Sequence, residues 1–177
     1  MRPPMKYLFI SFFFLIGQLA NAQTNVTGSL VSKQEADDAL AFHNKVRKDV
    51  GAPPLQWSGK LAAFAQKWAD HLAAEGNKIK HRPGTGEWAQ QYGENIFWGQ
   101  GEGFSPLEAS KDWYSEIKDY TYTSLSDNNW FKTGHYTQMV WRNTTRVGIG
   151  MAKSKDGTII IVANYDPRGN YLGEKPY

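Results

Sequence analysis

The sequence predicts an α+β fold, a three-layer α-β-α sandwich with a small antiparallel sheet between helices. Three observations point there. Helical periodicity recurs through the first two thirds of the chain. The last third carries two apolar runs around Asp156-Gly157, a strong hairpin signal. One of those runs, residues 159–163, is apolar without interruption. Such a strand is buried on both faces and needs helices above and below it.

Residues 1–22 read as a signal peptide. Lys6 supplies positive charge, residues 7–16 are apolar apart from Ser11, and Ala20-Asn21-Ala22 is a small-x-small cleavage site. The apolar stretch falls short of the ~20 residues that span a bilayer. The expectation is export, cleavage before Gln23, and no integral membrane segment in the mature chain. Residues 23–32 are polar and read as a short mobile lead-in, which leaves residues 33–177 as one domain.

Residues 33–50 read as the first helix, because Ala36, Leu40, His43, Val46 and Val50 recur at three- and four-residue spacing. Gly51 stops it, and Pro53-Pro54 forbids continuation. A second helix over 58–75 carries the stripe Leu61, Phe64, Ala65, Trp68 and Leu72, with Trp57 just before it. Residues 78–103 are glycine-rich and read as a long structured loop, with at most a short strand at 96–98. Ser105-Pro106-Leu107-Glu108 starts a third helix, with Ser105 as cap, Pro106 first and Glu108 completing a capping box. It ends near Tyr120. A polar loop runs to Thr133, a short helix covers 136–142, and strands at 147–152 and 158–165 close the fold.

The formal charge is +3, but Arg2 and Lys6 lie in the leader. Without them 18 basic residues face 17 acidic ones, and no basic stripe appears. Nucleic-acid binding therefore has no electrostatic footprint. The chain has no cysteine, so stability rests on packing, to which seven Trp, nine Tyr and nine Phe contribute bulk.

The run Gly134-His135-Tyr136-Thr137-Gln138-Met139-Val140-Trp141 resembles the first signature of the CAP superfamily, which groups the cysteine-rich secretory, antigen 5 and pathogenesis-related proteins (the SCP domain). Residues 161–171, Ile-Val-Ala-Asn-Tyr-Asp-Pro-Arg-Gly-Asn-Tyr, resemble the second, with Ala163 where the family usually has Cys. His43-Asn44 with Arg47, residues 53–57 and Gly93-Glu94-Asn95-Ile96 match as well. The resemblance covers residues 39–177, and the ending looks most like the plant pathogenesis-related branch, though without its cysteines.

That resemblance implies a cleft lined by two His and two Glu, here His81, Glu94, Glu116 and His135. Two neutral imidazoles and two carboxylates suit a divalent transition metal, above all Zn²⁺. In the family the two His are the direct ligands and the Glu sit beside them. Glu94 and Glu116 are then candidate general bases toward a metal-bound water. The same four side chains can equally satisfy one another and order the loops. His43 lies on an apolar helix face and reads as a core histidine. Asn95 reads as holding its loop. In the polar loop Tyr120, Tyr122, Trp130 and Phe131 make an aromatic group suited to an apolar ligand, or to packing on the core. CAP proteins include binders of sterols and of fatty acids.

The leading expectation is a secreted protein that binds a small ligand, a lipid such as sterol or fatty acid or a divalent metal in the His/Glu cleft, with a defence or antimicrobial role. Two alternatives stand beside it. One is a metal-dependent hydrolase using the same four residues, although no HExxH or nucleophile elbow is present. The other is an interaction module, or the precursor of a signalling peptide beginning at Pro167.

Overall fold

Helix α1 (Lys33–Asp49) begins where its apolar stripe predicts, and Ser32 caps it. Ser32 Oγ accepts from the Glu35 amide, and Glu35 Oε2 accepts from the Ser32 amide at 2.9 Å. This reciprocal capping box escaped the sequence reading, which placed one at Ser105 instead. There Ser105 does cap α3 (Pro106–Ser115), but the Glu108 carboxylate turns to Lys111 at 2.8 Å. Helix α2 (Gly59–Ala74) is capped by Ser58, and α3 tightens into a 3₁₀ turn over Glu116–Asp119. The computed structural model describes residues 26–76 and 79–177; the signal-peptide expectation lies outside them.

Four strands form one sheet. Strand β1 (Gln56–Trp57) is parallel to β3 (Arg146–Lys153), which pairs antiparallel with β4 (Thr158–Asp166), and β4 pairs antiparallel with β2 (Gly93–Gln100). The sheet is therefore mixed rather than wholly antiparallel. The difference is the two-residue β1, where Gln56 N donates to Thr145 O and Ser58 N to Val147 O on the way into α2. Strand β2 is longer than the three residues expected, because it pairs with β4 from Gly93 opposite Tyr165 to Gln100 opposite Thr158. Long-range pairing overrides the weak strand propensity of a Gly- and Asn-containing stretch.

Both faces of β4 are covered, as its uninterrupted apolar run requires. Ile160 and Val162 pack with Ala65, Trp68 and Leu72 of α2. Ile161, Ala163 and Tyr165 pack on the opposite face with Ala39, Val46, Trp113 and Tyr136. Strand β3 meets α2 through glycine. A Cβ on Gly148 would fall 2.2 Å from Ala62 N, and one on Gly150 2.3 Å from Gln66 N. The helix backbone thus rests directly on the strand.

Two further differences matter for the site. Helix α4 spans Trp130–Met139, earlier than the 136–142 expected, because Ser126 O accepts the Trp130 amide and starts the helix upstream. Trp130 and Phe131 are thus its first residues rather than loop residues. The described part of the expected mobile lead-in is packed, with Thr27, Ser29 and Val31 buried. Ser29 Oγ donates to Ile149 O at 2.7 Å, and Trp57 Nε1 donates to Thr27 O at 2.9 Å.

Candidate functional site

Arg47 positions the helix that carries His135. It is fully buried, and it donates to Pro53 O, Met139 O, Trp141 O and Thr144 O at 2.6–2.9 Å. Three of these carbonyls, those of Met139, Trp141 and Thr144, lie at and beyond the end of α4, where the helical hydrogen-bond ladder runs out; the fourth, Pro53 O, ties in the connection after α1. Burial lowers the Arg47 pKa to about 10, so the guanidinium remains charged at neutral pH and the hydrogen bonds are charge-assisted.

The two site histidines are each held by a carboxylate. His135 Nδ1 lies 2.7 Å from Glu116 Oε1. The other oxygen, Glu116 Oε2, accepts the backbone amides of His135 at 2.9 Å and Tyr136 at 3.0 Å. The His135 ring also stacks on Trp113 at a centroid distance of 6.3 Å. His81 Nδ1 lies 2.9 Å from Glu94 Oε1, which also accepts the Arg82 amide at 3.0 Å. Glu94 Oε2 is buried without a hydrogen-bond partner, and its neighbour Arg82 Nε, 3.6 Å away, is equally unpartnered.

A carboxylate acceptor keeps the imidazole proton on Nδ1 and leaves the Nε2 lone pair outward, the arrangement used by metal-ligating histidines. Among the described residues neither Nε2 makes a hydrogen bond. His81, Glu94 and His135 line one cavity of about 630 Å³, and Trp130 and Phe131 line it too. Those two rings are 50% and 59% exposed, so the cavity joins a polar wall to an aromatic rim. Its remaining walls include Arg168, Gly169, Asn170 and Tyr171 from the chain end.

A four-residue ligand set is not assembled. Among the described residues no group of three or more His, Asp or Glu converges on a possible ion position. The physical reason is the hydrogen bonding above: each carboxylate is engaged at the ring nitrogen away from any shared ion. The two imidazoles, of His81 and His135, open on the same cavity.

The expected group of four aromatics also divides. Tyr120 packs 5.3 Å from the Tyr136 ring and 6.2 Å from the Tyr177 ring, and burial pushes its pKa up to about 12. Tyr122 stacks on Tyr177 at 5.0 Å and donates to the Tyr177 carbonyl oxygen. Neither lines the cavity. They are drawn off by the chain end, whose position the local sequence does not encode.

The reading from sequence passed over the groups that fix the tail wall. Asn170, at φ +59°, accepts from Thr137 Oγ1 at 2.8 Å and donates to Gly134 O at 2.7 Å. Gln138 Oε1 accepts the Gly169 amide at 3.0 Å. The polar residues inside the two matched signatures were the available clue. Asn95 donates to His135 O at 3.1 Å, holding the ring's own backbone. His43 is a core residue, with Nδ1 2.8 Å from Ala39 O and Nε2 2.9 Å from Tyr165 Oη.

Comparison with known proteins gives the family and the fold. Residues 40–165 match the sequence model of CAP, the cysteine-rich secretory protein family. Pathogenesis-related protein 1 of Arabidopsis thaliana is 40% identical over 157 residues, covering 86% of this chain and 91% of that protein. Pathogenesis-related protein 1C of Nicotiana tabacum is 38% identical over 168 residues, covering 95% of each. Among solved structures, BmVAL-1 superposes with a TM-score of 0.72 at 26% identity, over 85% of this chain and 84% of that one. NaASP2, solved with Zn²⁺, gives 0.71 at 22% identity, over 83% and 86%, a likeness of fold. The chain therefore belongs to the CAP family of cysteine-rich secretory proteins, as a member without cysteine.

Proposed function

We propose that this chain is an exported binding protein whose cleft takes a small amphiphile, a sterol or a fatty acid. A divalent metal such as Zn²⁺ is held at the polar end by Nε2 of His81 and His135. The observation that carries this reading is the single cavity with His81, Glu94 and His135 on one wall and Trp130 and Phe131 at its rim. A polar head finds donors and acceptors, while a hydrocarbon body finds half-exposed rings. A bound metal would supply positive charge for a carboxylate or hydroxyl head group. Glu94 and Glu116 orient the imidazoles. Glu116 accepts three hydrogen bonds, which favours a positioning role over that of a general base. Support for the metal comes from NaASP2, solved with Zn²⁺. Support for export comes from residues 1–22, and for a defence role from the pathogenesis-related relatives.

The test is calorimetry on the full mature chain, with Zn²⁺ and with a C16 fatty acid as probes. Replacing His81 or His135 by Ala is expected to weaken Zn²⁺ binding by at least ~10-fold, the scale of a lost ligand or its support. The pair Trp130→Ser and Phe131→Ser is expected to weaken fatty-acid binding and leave Zn²⁺ binding alone. Zn²⁺ binding that is unchanged in His135→Ala rules out the ligand assignment. Fatty-acid binding that is unchanged in the double variant rules out the rim.

A further inference from the structure

A second cavity, of about 530 Å³, is lined by Arg82, whose ion-pair partner Glu94 lines the cleft. Helix α2 supplies Lys60, Phe64 and Lys67 to it, and the 82–92 connection supplies Trp88, Gln91 and Glu87. Lys60 and Lys67 are exposed and, among the described residues, make no ion pair. They stand two helical turns apart on one face, about 10 Å along the axis. Phe64, half-buried, falls between them along the helix, and the half-buried Trp88, stacked on His71 at 4.5 Å, lines the same cavity. Beneath them Arg82, 2% exposed, packs its guanidinium 3.9 Å from the Phe64 ring centroid and donates to Phe64 O at 2.6 Å. Arg82 Nε makes no hydrogen bond but faces Glu94 Oε2 at 3.6 Å, so the floor is a buried ion pair and the cavity's free positive charge is that of the two lysines.

We propose that this cavity binds an acidic oligosaccharide, a short chain of sugars bearing carboxylates. Each lining group has a use in that ligand. The two separated ammonium groups match anionic groups spaced along a chain rather than one compact anion. The aromatic surfaces suit the apolar faces of sugar rings. Glu87 would repel a bare anion, yet together with the Gln91 amide it accepts and donates to the hydroxyls that a sugar carries between its charges. A lipid chain would leave the two lysines and Glu87 without partners, and a free phosphate would leave the rings unused.

Trigalacturonate is the probe, titrated calorimetrically into the mature chain, with cellotriose and inorganic sulfate as controls. The site predicts binding that falls about tenfold or more in Lys60→Ala/Lys67→Ala, since each lost cation removes a charge-assisted contact. It also predicts unchanged binding in His135→Ala, and cellotriose at least about tenfold weaker. Both lysines are exposed, so the variants retain the fold, which circular dichroism checks. Any one of four results overturns the proposal: no trigalacturonate binding at about 1 mM, full affinity in the double variant, cellotriose binding as tightly, or displacement by equimolar sulfate. Binding that is lost in His135→Ala would place the saccharide in the cleft and overturn it as well.

Discussion

His43 and Arg47 lie one turn apart on α1, and both are buried polar groups that hold other elements in place. Burial lowers the His43 pKa from 6.5 to about 4, so the ring is neutral in the folded protein at neutral pH. In the unfolded chain it takes up a proton near pH 6.5. Between those values the unfolded state binds more protons, so stability falls as pH falls from about 6.5 toward 4 and levels off below. The loss from this residue amounts to about 3 kcal/mol. Urea unfolding of the wild type and of His43→Gln at pH 7 and pH 4.5 is expected to show a shallower pH dependence in the variant. Identical pH dependence would mean that His43 is already charged or solvated in the folded state. Its role as a core residue was readable from sequence, since it occupies an apolar position in the α1 stripe. Arg47 was readable only as a motif residue. Its partners lie 92–97 positions away, apart from Pro53.

At the scale of elements, the sequence expressed what depends on periodicity and local caps, and concealed what depends on pairing across the fold. Helices α1, α2 and α3 begin within a residue or so of their expected starts, because Ser32, Ser58 and Ser105 each cap locally. Strand β2 gave only a weak local signal, since β4 determines its length. The seat of α2 on β3 is another such nonlocal feature. Replacing Gly148 by Ala forces a methyl against the Ala62 amide at 2.2 Å, where backbone cannot yield as a flexible side chain would. A loss at the upper end of the ~1–3 kcal/mol typical of overpacking is expected. Gly134→Ala serves as the contrast, because its Cβ meets nothing nearer than 3.7 Å and the change favours helix. Thermal unfolding of the two variants checks this, and equal melting temperatures would contradict the close approach of α2 to β3.

Across the whole molecule, the candidate site is a joint product of distant segments. The His/Glu residues were legible through their motifs, and His81 was found from a short context alone. The cavity wall made by residues 168–171 was not legible, because the tail is positioned by contacts along its length. Leu125 N donates to Glu174 O, Gly173 N to Leu125 O and Arg142 N to Pro176 O. Pro176 is buried, and Tyr177 packs among Tyr120, Tyr122 and Tyr136. A peptide beginning at Pro167 would therefore have to be pulled from the fold, and its departure would remove part of the cleft. The proposed function requires one ligand to touch both ends of this cavity. An NMR titration of residues 23–177 with a fatty acid in the presence of Zn²⁺ decides this, following the imidazole Nε2 resonances of His81 and His135 and the indole Nε1–H of Trp130. All three are predicted to shift with a single shared affinity. Movement at Trp130 with silent imidazoles, or the reverse, would contradict a common site.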